Sequence, residues 1–174
     1  MARVLTREQH LDRRSVIRAL LAFPWAFASV TATAAASPAI GSKLELMDLP
    51  LIEGGVFRAT EANGKVLVIY WWASWCPYCA QMSPRIEELW RSARERDLRV
   101  IGISVDSTIE AAREYRHRKG YTFPSAMVSA GMQTTLPKPR GVPVVWVRGR
   151  DGRVAMAEAG ELLPEEIAEI TRFL

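Results

Sequence analysis

Two cysteines occur in the 174 residues, Cys76 and Cys79, with two residues between them, and the two histidines are His10 and His117. A structural zinc site takes four Cys or His ligands and an iron–sulfur cluster usually takes four cysteines, so one chain assembles neither here. A bridge from Cys76 to Cys79 closes so short a loop that it constrains almost nothing in the unfolded chain, which excludes a disulfide framework. The pair is therefore chemical or accidental. As chemistry it reads as a redox dithiol, whose thiolate exchanges with a disulfide in another molecule. A copper carrier stays open beside it, because copper(I) can be held by two thiolates.

The surroundings favour the dithiol over coincidence. Trp71-Trp72-Ala73-Ser74-Trp75-Cys76-Pro77-Tyr78-Cys79 follows an apolar run and leads into a helical pattern. A helix N-terminus offers unpaired N–H groups and the positive end of the helix dipole, and both stabilise a thiolate. Pro77 falls where a helix needs no N–H, and it stiffens the loop between the sulfurs. Cys76, nearest the helix start and the more exposed, is expected to attack. Cys79, one turn inward and shielded, resolves the mixed disulfide. Trp75, Pro77 and Tyr78 complete the active-site loop.

The elements that must position this pair are legible around it. Val66 to Trp72 is a continuous apolar run rich in β-branched and aromatic residues, as expected of a strand buried on both faces. Leu98–Val105 and Val144–Val147 read the same way. Met82, Ile86, Leu89, Trp90 and Ala93 recur at helical spacing, with Glu87 and Arg91 as an i,i+4 pair on the exposed side. Ser107-Thr108-Ile109-Glu110 fits a capping box opening a second helix. That helix closes with Arg116-His117-Arg118-Lys119 before Gly120, read as a solvated end with His117 exposed and unpartnered. Gly149–Gly152 is a turn between strands 144–148 and 153–159, predicted to form an antiparallel hairpin. Pro164 opens a last helix, with Ile167, Ile170 and Phe173 toward the core. The order β-α-β-α-β-β-α predicts a parallel βαβ half joined to a hairpin, with helices on both faces.

Composition sets the limits. Hydrophobic residues make up 49% and charged residues 24%, which suits one globular domain and excludes a disordered chain. The net charge of +4 is concentrated at the N-terminus, in Arg3, Arg7, Arg13, Arg14 and Arg18. An uncharged, Ala-rich run from Ala19 to Ser42 follows, and Ala34-Ala35-Ala36 matches an A-x-A cleavage pattern. Residues 1–36 are thus expected to be an export signal, and residues 37–174 the mature domain. Arg13-Arg14 resembles a twin-arginine signal, with an ordinary Sec signal carrying a chance Arg pair as the alternative. Pro24 and several Ser and Thr argue against a retained membrane anchor. Removing 1–36 leaves 18 basic and 17 acidic residues, a net +1, so no nucleic-acid surface is expected. No G-x-G-x-x-G occurs, and Gly64-Lys65 lacks the earlier Gly of a phosphate loop.

Trp72-Ala73-Ser74-Trp75-Cys76-x-x-Cys79, with Pro84 five residues on, resembles the active site of thioredoxin-fold proteins. Leu49-Pro50-Leu51, Gly64-Lys65-Val66, Ser104-Val105-Asp106, Gly120-Tyr121-Thr122-Phe123-Pro124 and Gly141-Val142-Pro143 follow in the matching order. The resemblance over 44–174 is to the exported TlpA-like and ResA-like thiol–disulfide oxidoreductases. It implies an α/β thioredoxin-like fold with a central mixed sheet flanked by helices and an αβ insertion before the cis-proline loop. It also implies a cis bond at Pro143, with Val142 and Pro143 binding an extended substrate segment beside Cys76.

Departures from the family pattern bear on direction. Tyr70 and Met82 stand where relatives place an acid behind the resolving cysteine, and no group that accepts the Cys79 proton can be named from sequence. Lys138 and Arg140 could add positive potential near Cys76. The resemblance implies a periplasmic enzyme without cofactor or metal. It would reduce cysteine-containing exported clients of cytochrome c or copper-site maturation, take electrons from a membrane thiol reductant, and act as a monomer. An oxidase or isomerase using the same residues, and the copper or thiol carrier, are the alternatives. A peroxidase is disfavoured, since a peroxidatic Cys normally sits apart from a C-x-x-C.

Overall fold

The computed structural model describes residues 37–174 except Arg94 and the side chain of Ala93. The expected export signal, 1–36, and His10 within it lie outside the described residues. Two short strands, β1 (Leu49–Pro50) and β2 (Val56–Phe57), pair antiparallel ahead of the main sheet. Then follow β3 (Val66–Trp72), α1 (Pro77–Ala93), β4 (Leu98–Ser104), α2 (Ile109–Lys119), β5 (Ser125–Met127), β6 (Val144–Arg148), β7 (Val154–Ala159) and α3 (Pro164–Glu169). The five-stranded sheet runs β5-β4-β3-β6-β7, with β3 parallel to β4 and antiparallel to β6. Every residue of β3 is buried, as its unbroken apolar run predicts for a central strand. The αβ insertion is α2 with β5, which adds the edge strand.

Helices on both faces were expected; the three α-helices share one face, and the other is met by the short 3-10 helices Ala59–Ala62 and Ala130–Met132. The path β3-α1-β4-α2-β5 moves in one direction across the sheet, so two right-handed crossovers put α1 and α2 on the same face. That face packs Val68, Tyr70 and Trp72 against Met82 and Ile86 of α1, Tyr115 of α2 and Ile167 of α3. Leu67, Ile69 and Trp71 point the other way, into Leu49, Phe57, Met132 and Leu136 from the β1–β2 segment and the loop before β6. Trp71 meets Trp146 edge-on across β3 and β6, with centroids 5.3 Å apart.

Several charged residues also sit differently from expectation. Glu87 is not on a solvated face: it is buried and accepts from Thr122 N at 2.7 Å, Thr122 Oγ1 at 2.6 Å and Phe123 N at 3.1 Å, besides Arg91 Nε. Burial pushes its carboxyl up, but these donors outweigh burial and hold it below the usual carboxylate range. Arg116 leaves the solvated helix end for the core, where it donates to Ser125 Oγ and the Phe123 carbonyl and lies over the Phe123 ring. His117 is exposed, yet its Nε2 lies 3.2 Å from Glu53. The α2 cap is Thr108 rather than Ser107, with Oγ1 accepting from Ala111 N. Gly120 closes that helix at φ 70°, a left-handed position that suits glycine. Ile167 and Ile170 are buried as expected, whereas Phe173 at the chain end stays exposed.

Candidate active site

Cys76 occupies the last position before α1, and Pro77 is the first helical residue. The helix therefore starts between the two sulfurs. Its first-turn amide at Cys79 donates to Cys76 Sγ at 3.1 Å, as the orphan donors of a helix start would. The two sulfurs are in disulfide-bonding contact, with Cα atoms 5.2 Å apart. From the other side the Val142 carbonyl comes within 3.5 Å of Cys76 Sγ, and the Val142–Pro143 peptide is cis. Gly160 N donates to the Pro143 carbonyl at 2.9 Å, tying this loop to the end of β7.

Exposure divides differently from the sequence expectation. Cys79 is fully enclosed, but Cys76 is only 3% exposed and so is nearly as buried. Solvent instead meets Trp75 at 68% and Tyr78 at 59%, which flank the sulfur as an apolar rim. Cys76 is covered because the Val142 carbonyl closes over it, a contact from 66 residues away that local sequence does not reveal. Pro77 is exposed beside the rim. Lys138 and Arg140 are exposed on the loop before the cis bond, and Arg140 lines a hollow of about 320 Å³ with Val142 and Gly160.

Asp106, just past β4, has a part that sequence reasoning did not assign. Its buried carboxylate accepts from Ser74 N at 3.1 Å, Ser74 Oγ at 2.7 Å and Ser104 Oγ at 2.7 Å. It thus fixes the residues leading into Cys76. An acid two residues past a mostly apolar strand was the available signal. Met82 is buried in the core, and Tyr70 reaches the back of the site. Among the described residues no three His, Cys, Asp or Glu side chains gather closely enough to hold a metal ion. No described helix is long and apolar enough to cross a membrane.

The comparisons with known proteins agree with this geometry. The thiol-disulfide oxidoreductase ResA of Geobacillus thermodenitrificans is 23% identical over 167 residues, covering 95% of this chain and 96% of that protein. A thiol:disulfide interchange protein of the thioredoxin family from Chlorobium tepidum superposes with a TM-score of 0.71 at 18% identity, covering 78% and 97% of the two chains. A DsbF homologue from Corynebacterium diphtheriae superposes at 0.69 with 20% identity, over 77% and 87%. These likenesses show a thioredoxin-like fold. The AhpC/TSA family matches residues 40–129, from the segment before β1 through β5 and including the dithiol. The chain belongs to the AhpC/TSA family, as a thioredoxin-like thiol–disulfide oxidoreductase whose Cys76–Cys79 pair closes as a disulfide.

Proposed function

We propose that this protein is exported and reduces disulfides in cysteine-containing periplasmic clients, of the kind met in cytochrome c or copper-site maturation. One observation carries the reading: Cys76 lies between a helix N-terminus and the Val142 carbonyl of a cis-proline loop, with the apolar rim of Trp75 and Tyr78 beside it. The helix start stabilises a Cys76 thiolate, and the Val142 backbone can pair with an extended client segment. In the reduced protein the thiolate attacks one client sulfur, forming a mixed disulfide and releasing the other as a thiol. Cys79 then attacks Cys76 Sγ, freeing the client and closing the pair. The client gains two electrons and the pair loses them, so a membrane thiol reductant must reset it. The domain acts as a monomer without a bound cofactor.

Equilibration of the 37–174 domain with glutathione tests the direction. A potential near the thioredoxin value of about −270 mV supports a reductant, and one near the DsbA value of about −120 mV overturns it in favour of an oxidase. A Cys79→Ser protein should accumulate exported cysteine proteins as mixed disulfides on Cys76. Failure to trap any, together with stoichiometric copper uptake that resists chelators, would point to a carrier.

A further inference from the structure

On the core side of the dithiol, two buried hydroxyls meet. Tyr70 in β3 has no exposed surface and places its hydroxyl 2.9 Å from Ser83 Oγ and 3.3 Å from the Cys79 carbonyl oxygen. Ser83 is equally buried, about one helical turn beyond Cys79. In the arrangement that serves the tether, Ser83 donates to the Tyr70 phenol oxygen and the phenol donates to the Cys79 carbonyl, with the Tyr121 phenol also hydrogen-bonded to Ser83. Desolvation raises the Tyr70 phenol above its ordinary range, so it stays a neutral donor. The tether sits where α1 is weakest. Pro84 has no N–H, so the neighbouring Ala80 carbonyl loses its usual helical partner.

The elements packed around this pair leave it without a competing charge. Phe123 meets the Tyr70 ring edge-on at 6.1 Å, and Val145 and Ile167 belong to the same apolar cluster. Tyr121, pushed up to about 12 by burial, and Tyr115, also raised by burial, are both neutral near pH 7. The carboxylates that act on these two phenols are Glu87 and Asp106. Glu87 is held by Thr122, Phe123 and Arg91, and Asp106 by Ser74 and Ser104.

We propose that Tyr70, anchored by Ser83, is the positioning residue for the resolving thiol, holding Cys79 through its carbonyl in line with Cys76. The inference rests on the thiol–disulfide reading above. In the step it serves, a bond forms between the Cys79 and Cys76 sulfurs and the Cys76–client bond breaks. The client sulfur leaves with the bonding pair and takes up the proton that Cys79 loses. Tyr70 neither gains nor loses a proton.

The test is rapid-mixing kinetics of the reduced 37–174 domain with a quenched fluorescent peptide disulfide, reading mixed-disulfide formation and its resolution separately. Tyr70→Phe keeps the ring and its contact with Phe123 while deleting the hydroxyl. Formation should stay within about twofold, while resolution slows about fivefold to tenfold, the size of one net hydrogen bond. The mixed disulfide should then accumulate. Ser83→Ala should slow resolution by a smaller factor, and Ser83→Thr, which keeps a hydroxyl, should restore it. A merely structural role would slow both steps together, and that result overturns the proposal. Should Tyr70→Phe fail to fold, Ser83→Ala decides, because Ala is well tolerated in a helix; resolution at the unsubstituted rate overturns the proposal. If the unsubstituted protein forms no mixed disulfide, the functional reading fails and takes this inference with it. If it forms one and Tyr70→Phe resolves it equally fast, only this inference fails.

Discussion

The two sulfurs lie three residues apart, both buried, and are held by different groups. Cys76 is held from the front by backbone, the Cys79 amide on one side and the Val142 carbonyl on the other, in a loop anchored by Asp106. Cys79 is held from behind by the apolar face of the sheet and a phenol on its carbonyl. Beside Cys76 stand the exposed aromatics Trp75 and Tyr78, whereas behind Cys79 lies core. A disulfide exchanger needs this asymmetry. The attacking sulfur must accept many partners, and the resolving sulfur must meet only one.

Substitutions can break that contrast, and the sulfurs themselves give the largest effect. Cys76→Ser should abolish client attack, whereas Cys79→Ser should preserve it and trap the client, as non-reducing electrophoresis with mass spectrometry would read. Glu87, farther along α1 on the back, comes next. Glu87→Ala removes the carboxylate acceptor, leaves the Thr122 and Phe123 donors unpaired, and should cost about 3 kcal/mol in urea unfolding, with the rate of client attack unchanged.

The pH dependence of Glu87 follows from its depressed pKa. Its contribution is fully present above the unfolded carboxyl value of about 4.3 and is lost as pH falls through the lower folded value. Glu87→Gln should therefore flatten the fall in Tm between about pH 5 and 3.

At the front the expected stability effects shrink while the kinetic ones remain. Asp106→Asn weakens the anchors on Ser74 and should cost about 1–2 kcal/mol, slowing attack more than resolution in rapid mixing. Trp75→Ala and Tyr78→Ala remove exposed side chains and should change stability by about 0.5 kcal/mol or less. They should still raise KM for a client peptide several-fold, since apolar rims of this kind supply contact area. Equal losses of stability at front and back would dissolve the comparison.

Much of the frame was legible because it depends on local pattern. The seven-residue run of β3, the Pro77 helix start and the β6–β7 hairpin each follow from residues adjacent in sequence. The misplacements share one cause. Glu87, Arg116 and His117 were read from helical position and residue type, which say how a helix is solvated in isolation. Their partners Thr122, Phe123, Ser125 and Glu53 come from other segments, and these settle whether a charge is buried. The face shared by the α-helices was legible only in part. The chain order carried it, but the edge strand β5 is three residues long and leaves little periodic signal.

The sequence by itself determined that this chain carries a redox dithiol at the start of a helix behind a buried strand. With so few cysteines and histidines, a zinc site or an iron–sulfur cluster had no ligands, and the strand-to-helix change of period is a local property. Only the tertiary structure decided what surrounds each sulfur. The Val142 carbonyl that covers Cys76, the Asp106 anchor and the Tyr70 hydroxyl beneath Cys79 come from three strand ends or interiors that meet through sheet pairing. Sheet register, set by burial of whole faces rather than by any one residue, brings them together.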